Sequence, residues 1–134
     1  MNIDLQPLAT LPGVRQAAIT DDSGRLLDCA GDAEPPTAAI LVLAHATLSA
    51  ASELGRRSGS GDCLEVVQQH DGGVIYLLGL PQRRVLLVRC QNSDVIAAIR
   101  AASRRLAQSI TTRVRPVASP LPDISSALHA EPAW

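Results

Sequence analysis

Three short apolar runs stand close together in the second half of this chain, and their spacing admits few folds. Cys63 to Gln69 alternates in part, with Leu64 and Val66 set against Glu65, whereas Val74 to Leu80 is apolar throughout and Arg84 to Cys90 is apolar with basic ends. Runs of this length that favour Val, Ile and Leu predict strands. The connections Asp71-Gly72-Gly73 and Pro81-Gln82-Arg83 are too short for a crossover between parallel strands, so the three predict an antiparallel meander. Its middle strand has no polar face and requires cover on both sides.

The rest of the chain supplies two more strands and that cover. Val14 to Thr20 and Arg25 to Ala30 read as a hairpin around Asp21-Asp22-Ser23-Gly24, where glycine accepts a positive φ. Ahead of it, Leu5, Leu8 and Leu11 recur at helical spacing, with Asp4 placed to cap a short helix and Pro12-Gly13 to stop it. After a loop from Gly31 to Pro36, a long helix opens at Pro36 or Thr37 and runs to about Leu54. Its stripe at Leu41, Ala44, Leu48, Ala51 and, less strictly, Leu54 is the face expected to turn inward. Gly55 to Asp62, with Ser58-Gly59-Ser60-Gly61, predicts a flexible connection. A last helix, capped by Asn92 or Ser93, keeps Val95, Ile99, Ala102, Leu106 and Ile110 on one stripe.

The expected architecture is α/β: a five-stranded antiparallel sheet with the long helix on one face and the first and last helices on the other. It occupies residues 1–110. The segment 111–134 carries Pro116, Pro120, Pro122 and Pro132 and predicts an extended tail, in which Ile124 to His129 alone has the pattern to become helical on a partner.

Composition narrows the chemistry. A chain of 134 residues that is 46% hydrophobic and 19% charged is a globular domain, able to bury roughly 68% of the surface its unfolded form exposes. All 12 basic residues are arginine and the formal charge is −1. Without lysine there is no P-loop lysine, Schiff base or serine-lysine dyad, and the balanced charge argues against nucleic-acid binding. One Tyr, one Trp and no Phe leave no stacking platform for single strands. Cys29, Cys63 and Cys90 are odd in number and lack C-x-x-C spacing, which predicts a reduced, cytoplasmic protein. The longest apolar run, Ala38 to Ala46, falls short of the about 20 residues that cross a bilayer, so no membrane insertion is expected.

No catalytic, cofactor or metal site assembles from these residues. His45, His70 and His129 are too scattered to join Cys63 or Cys90 around zinc, and no cysteine has a neighbouring base. Gly59-Ser60-Gly61 follows a helix and precedes a strand, the reverse of a phosphate-binding loop, and Gly55-Arg56-Arg57-Ser58-Gly59 misses the G-x-S-x-G elbow by one residue. Asp21 and Asp22 are what a tight turn needs. Arg56 and Arg57 complement the negative end of the long helix, a simpler role than an arginine finger.

The order of elements, together with Leu11-Pro12-Gly13-Val14 before the first strand, Asp21-Asp22-Ser23-Gly24 in the first hairpin, Leu64-Glu65-Val66 in the third strand and Asn92 before the last helix, resembles the Roadblock family of dynein light-chain and GTPase-regulator domains. The resemblance covers about residues 3–110. It implies a profilin-like sheet and a homodimer built on the long helix and the strand after it, through Leu41, Ala44, Leu48, Ala51, Leu64 and Val66. It further implies a platform of His45, Ser49, Ser52, Glu53, Arg56 and Arg57 for a small Ras-like GTPase, in bacterial polarity, motility or signalling. Stimulation of GTP hydrolysis by such a dimer repositions the partner's own residues and needs no donated arginine. The alternative is a small-molecule or signal-sensing module of profilin-like fold, with a pocket between helix and sheet.

Overall fold

The computed structural model describes residues 3–114, with side chains to residue 110. The five expected strands are β1 (Val14–Thr20), β2 (Leu26–Gly31), β3 (Glu65–His70), β4 (Gly73–Leu80) and β5 (Arg84–Cys90). They form one antiparallel sheet in the order β2-β1-β5-β4-β3. The β1–β2 hairpin and the β3–β4–β5 meander therefore meet through β1 and β5, which puts β5 at the centre and leaves β2 and β3 as edges.

Side-chain alternation divides the sheet into two apolar faces. Ala17 and Ile19 of β1, Tyr76 of β4 and Leu86 and Val88 of β5 pack with Leu5 and Leu8 around α1 (Gln6–Ala9) and with Ile99, Ala102 and Ile110 of α3 (Ile96–Val114). On the other face Leu77, Val85 and Leu87 receive Leu41, Ala44 and Leu48 of α2 (Ala38–Arg57). The three-layer arrangement is the expected one, and β4 is covered on both sides.

Boundaries shift for local reasons. Helix α1 starts later than expected because Asp4 Oδ1 accepts from the Gln6 amide at 3.0 Å and Leu5 takes the cap position. Thr37 caps α2, its hydroxyl accepting from the Ile40 amide at 3.3 Å. That helix runs past Leu54 to Arg57, and Leu54 is 71% exposed. A step of 100° per residue carries the inward stripe from Leu48 toward Ala51 and Ser52, leaving Leu54 outside it.

The expected flexible connection is instead a hydrogen-bonded turn. The amides of Ser60 and Gly61 both donate to the Gly55 carbonyl, at 2.7 and 3.1 Å. A Cβ at Gly55 would collide with the Gly61 carbonyl, so glycine here serves a close approach. At the other end Asn92 Oδ1 accepts from the Asp94 amide at 2.9 Å and leads through a 3₁₀ turn into α3. Helix α3 continues to Val114, beyond the expected boundary at 110; residues 115–134, including Ile124 to His129, lie outside the described residues.

Candidate functional site

His45, Ser49, Ser52 and Arg56 recur along α2 at intervals of three and four, which places them on one flank of the helix. That flank borders a groove of about 530 Å³ whose opposite wall is the β4–β5 turn with Arg83 and Arg84, and whose ends are Asp22 and Asp62. Four of the six residues expected on a partner platform thus line a groove beside the helix. Glu53 and Arg57, exposed at the helix end, adjoin it without lining it.

The polar groups along the groove are largely engaged. Thr20 Oγ1 accepts from the Val85 amide at 3.2 Å and lies 2.6 Å from His45 Nε2, so its hydroxyl proton is the one available to the imidazole. This ties α2 to β1 and β5. Ser52 Oγ accepts from the Cys63 amide at 3.0 Å and fixes the entry to β3. At the helix end Glu53 bridges Arg56 at 2.8 Å and Arg57 at 2.7 Å, and Arg56 also reaches Asp62 at 2.6 Å. Bonds from Arg57 and then Arg56 hold the Glu53 carboxyl below its ordinary range, while Glu53 and Asp62 raise Arg56 further. Two acids and two arginines form a neutral, solvent-exposed network.

The β4–β5 turn is the strained part of the wall. Gln82 and Arg83 both have positive φ, 64° and 60°, without being glycine. Such backbone is uncommon outside Gly, Asn and Asp and costs about 1–2 kcal/mol per residue. It presents Arg83 to the groove, a contribution that Pro81-Gln82-Arg83 does not announce as a sequence.

The residues expected at a dimer interface divide. Leu41, Ala44 and Leu48 are buried against the chain's own sheet at 2%, 7% and 9% exposure, so they have no area left for a partner and belong to the protomer core. Ala51 and Val66 are half-buried, whereas Leu64 is 76% exposed. The apolar surface α2 turns outward is a different set: Ile40, Val42, Leu43 and Leu54, with Ala39, Ala46 and Ala50 between them. Helix α2 is long and apolar enough by length and composition to cross a bilayer, yet its inner stripe is docked on the sheet as one layer of the domain.

Other expected assignments are now located. Asp21 serves the first turn, its Oδ1 accepting from the Ser23 amide and hydroxyl and from the Arg25 amide at 2.7–3.0 Å. Those bonds, the Ser23 hydroxyl foremost, hold its carboxyl below the ordinary aspartate range. Cys90 is buried, which pushes its thiol up; Cys29 and Cys63 are half-buried. His70 pairs with Gln68 at 3.2 Å, and His129 lies outside the described residues. Among the described residues no three His, Cys, Asp or Glu side chains are grouped to hold a metal ion.

An antiparallel sheet ordered β2-β1-β5-β4-β3, with one long helix on one face and a short and a long helix on the other, defines a Roadblock-type α/β domain. The chain belongs to the Roadblock/LC7 domain family, whose model matches residues 2–89. Among solved structures it is similar to a Roadblock/LC7 domain from Streptomyces avermitilis, at 21% identity and TM-score 0.69 over 83% of this chain and 90% of that one. Myxococcus xanthus MglB is similar at 17% identity and TM-score 0.67, over 77% of this chain and 78% of its own. An MglB with a tetrameric arrangement shares 18% identity at TM-score 0.63, over 72% of this chain and 74% of that one. No curated protein sequence matches the chain.

Proposed function

We propose that this chain is a non-enzymatic, homodimeric regulator or scaffold of a small Ras-like GTPase in a bacterial cytoplasm. The observation that carries the reading is the apolar crest of Val42, Leu43 and Leu54 on α2, exposed at 57%, 64% and 71%, in a domain whose edge strand β3 is led by the exposed Leu64. An apolar helix face together with an unpaired strand edge favours association. Pairing two copies of β3 around a twofold axis satisfies that edge and brings two α2 crests together. The tetrameric arrangement of a related MglB supports self-association of this fold.

In this reading the groove on each protomer contacts the GTPase. Its arginines at the α2 end are paired with Glu53 and Asp62, which favours orienting a partner at the rim over donation to a transferred phosphoryl group. Any stimulation of hydrolysis then works by repositioning the GTPase's own residues. The test has two arms. Light scattering at micromolar concentration is expected to give twice the protomer mass. Capture from the native cytoplasm, with bound proteins identified by mass, is expected to recover a small GTPase whose single-turnover hydrolysis is then timed with and without the chain. A monomeric mass overturns the dimer, and absence of any GTPase passes the groove to the sensing alternative.

A further inference from the structure

A second cleft, of about 240 Å³, lies at the end of the sheet where β1 begins and β5 finishes, and it has no part in the reading above. Arg15, Arg89 and His70 line it, with Gly72, Gly73 and Ile75 of the β3–β4 hairpin. No carboxylate lines it. Among the described residues neither Arg15 nor Arg89 has an ion-pair or hydrogen-bond partner for its guanidinium, in contrast to Arg56, Arg57 and Arg100. Arg89 is half-buried, with no acid in the cleft lining beside it.

The backbone is shaped to bring these charges together. Val14 pairs with Cys90 and Gln16 with Arg89, so Arg15 is an extra residue in β1, a β-bulge. Gln16 stands directly opposite Arg89 and shares its face; regular alternation would send Arg15 to the other side. The bulge breaks that alternation and lets both arginines line one cleft, the kind of re-aiming for which bulges are found beside binding sites. Two glycines permit this backbone. A Cβ at Gly73 would stand 2.8 Å from the Cys90 carbonyl, and one at Gly31 would collide with the Arg15 carbonyl. The first lies in the cleft lining; the second, outside it, seats the bulged backbone of β1 against β2. The Arg15 carbonyl is further held by the Asp32 amide at 3.1 Å.

The geometry points to an oxyanion site: Arg15 and Arg89 bind a phosphate group, free or as the terminal group of a small monoester, over the β3–β4 hairpin. Guanidinium groups present paired donors matched to phosphate oxygens, and two of them converging without a competing acid favour a doubly charged group over a chloride. This site is independent of the GTPase reading, since it lies on the protomer alone and its ligand is small.

The experiment is a ¹H–¹⁵N titration of the full chain with inorganic phosphate, with glycerol phosphate, and with sodium chloride at matched ionic strength. Saturating shifts are expected at Arg15, Gly72 to Ile75, Arg89 and Cys90 with phosphate and absent with chloride. Stronger binding of the ester than of inorganic phosphate assigns the ligand to a phosphorylated small molecule, and equal binding assigns it to phosphate itself. Arg89→Gln is expected to weaken binding by about tenfold or more. Arg105→Gln, on α3 at the opposite face of the sheet, leaves it unchanged. Should Arg89→Gln lose the native spectrum, Arg15→Gln provides the same comparison. Shifts that follow ionic strength alone, that spread over all arginines, or that Arg105→Gln reduces equally overturn the proposal.

Discussion

Replacing Leu43 by Glu separates association from folding, because Leu43 touches so little of its own chain. It is 64% exposed on the outer crest of α2, with Val42 next to it at 57% and Leu54 about three turns further along at 71%. Fully burying a leucine contributes about 1.5–3 kcal/mol, so the exposed part of Leu43 has about 1–2 kcal/mol left to gain from a partner. A twofold dimer contains the residue twice, which makes about 2–4 kcal/mol per dimer, or roughly 30-fold to nearly 1000-fold in Kd. Bringing two carboxylates into the contact adds to the loss. In the separated protomer the substitution removes little packed contact and changes stability by about 0.5 kcal/mol. Sedimentation equilibrium over a concentration series reads the first quantity and a thermal melt in the monomeric range reads the second. A dimer constant within threefold of the unmodified chain, with an unchanged melt, refutes the crest as an interface. Leu64→Glu, at 76% exposure by the β3 edge, then tests whether the strand edge alone carries the contact.

Four further outcomes test the site and its supports. Ser49→Arg, filling the groove beside α2, is expected to weaken binding of a cognate small GTPase without lowering the melting temperature, read by titration calorimetry and circular dichroism. Arg56→Ala and Arg57→Ala are expected to slow association in stopped flow and to leave stimulated hydrolysis intact; loss of stimulation with Arg57→Ala at saturation would instate a donated arginine. Tyr76 is 1% exposed and donates to Glu65 Oε2 at 2.7 Å, so Tyr76→Phe is expected to cost about 1.5–3 kcal/mol in urea unfolding, and much less in a Glu65→Gln background. Asp21 is held below its ordinary range in the folded chain, so its stabilisation is complete above the unfolded value of about 3.9 and fades as pH falls through the folded value. Asp21→Asn is therefore expected to destabilise the chain at neutral pH and to match it in strong acid, by melts across pH.

What was legible in the sequence was whatever repeats with a short period. The bounds of β1 and β5 coincide with the runs Val14 to Thr20 and Arg84 to Cys90, because central strands covered on both faces are written as runs of consecutive buried residues. The stripe Leu41, Ala44, Leu48 is legible for the same reason at helical spacing, although its inward direction makes it core and not interface. Gly55 misleads. Glycine near the end of a helical pattern usually marks a stop, and here it marks a place where the turn after α2 folds back closely onto the helix.

The groove and the cleft are illegible for a common physical reason: each depends on departures from regularity. Arg83 reaches the groove because two consecutive non-glycine residues take the left-handed conformation, and Arg15 reaches the cleft because a bulge breaks the alternation of β1. Neither departure has a residue signature, since Gln82 and Arg83 are poor choices for that backbone and Arg15 is an ordinary strand residue. The left-handed turn makes the argument testable in one substitution. Glycine at position 83 adopts a φ of 60° freely, so Arg83→Gly is expected to relieve about 1 kcal/mol of backbone strain, partly offset by the greater freedom of glycine in the unfolded chain. If the strain is kept only because Arg83 must face the groove, the variant holds or gains melting temperature while losing affinity for the groove's partner. A variant that melts lower and binds equally well would make the turn a structural requirement of the β4–β5 hairpin and remove Arg83 from the site.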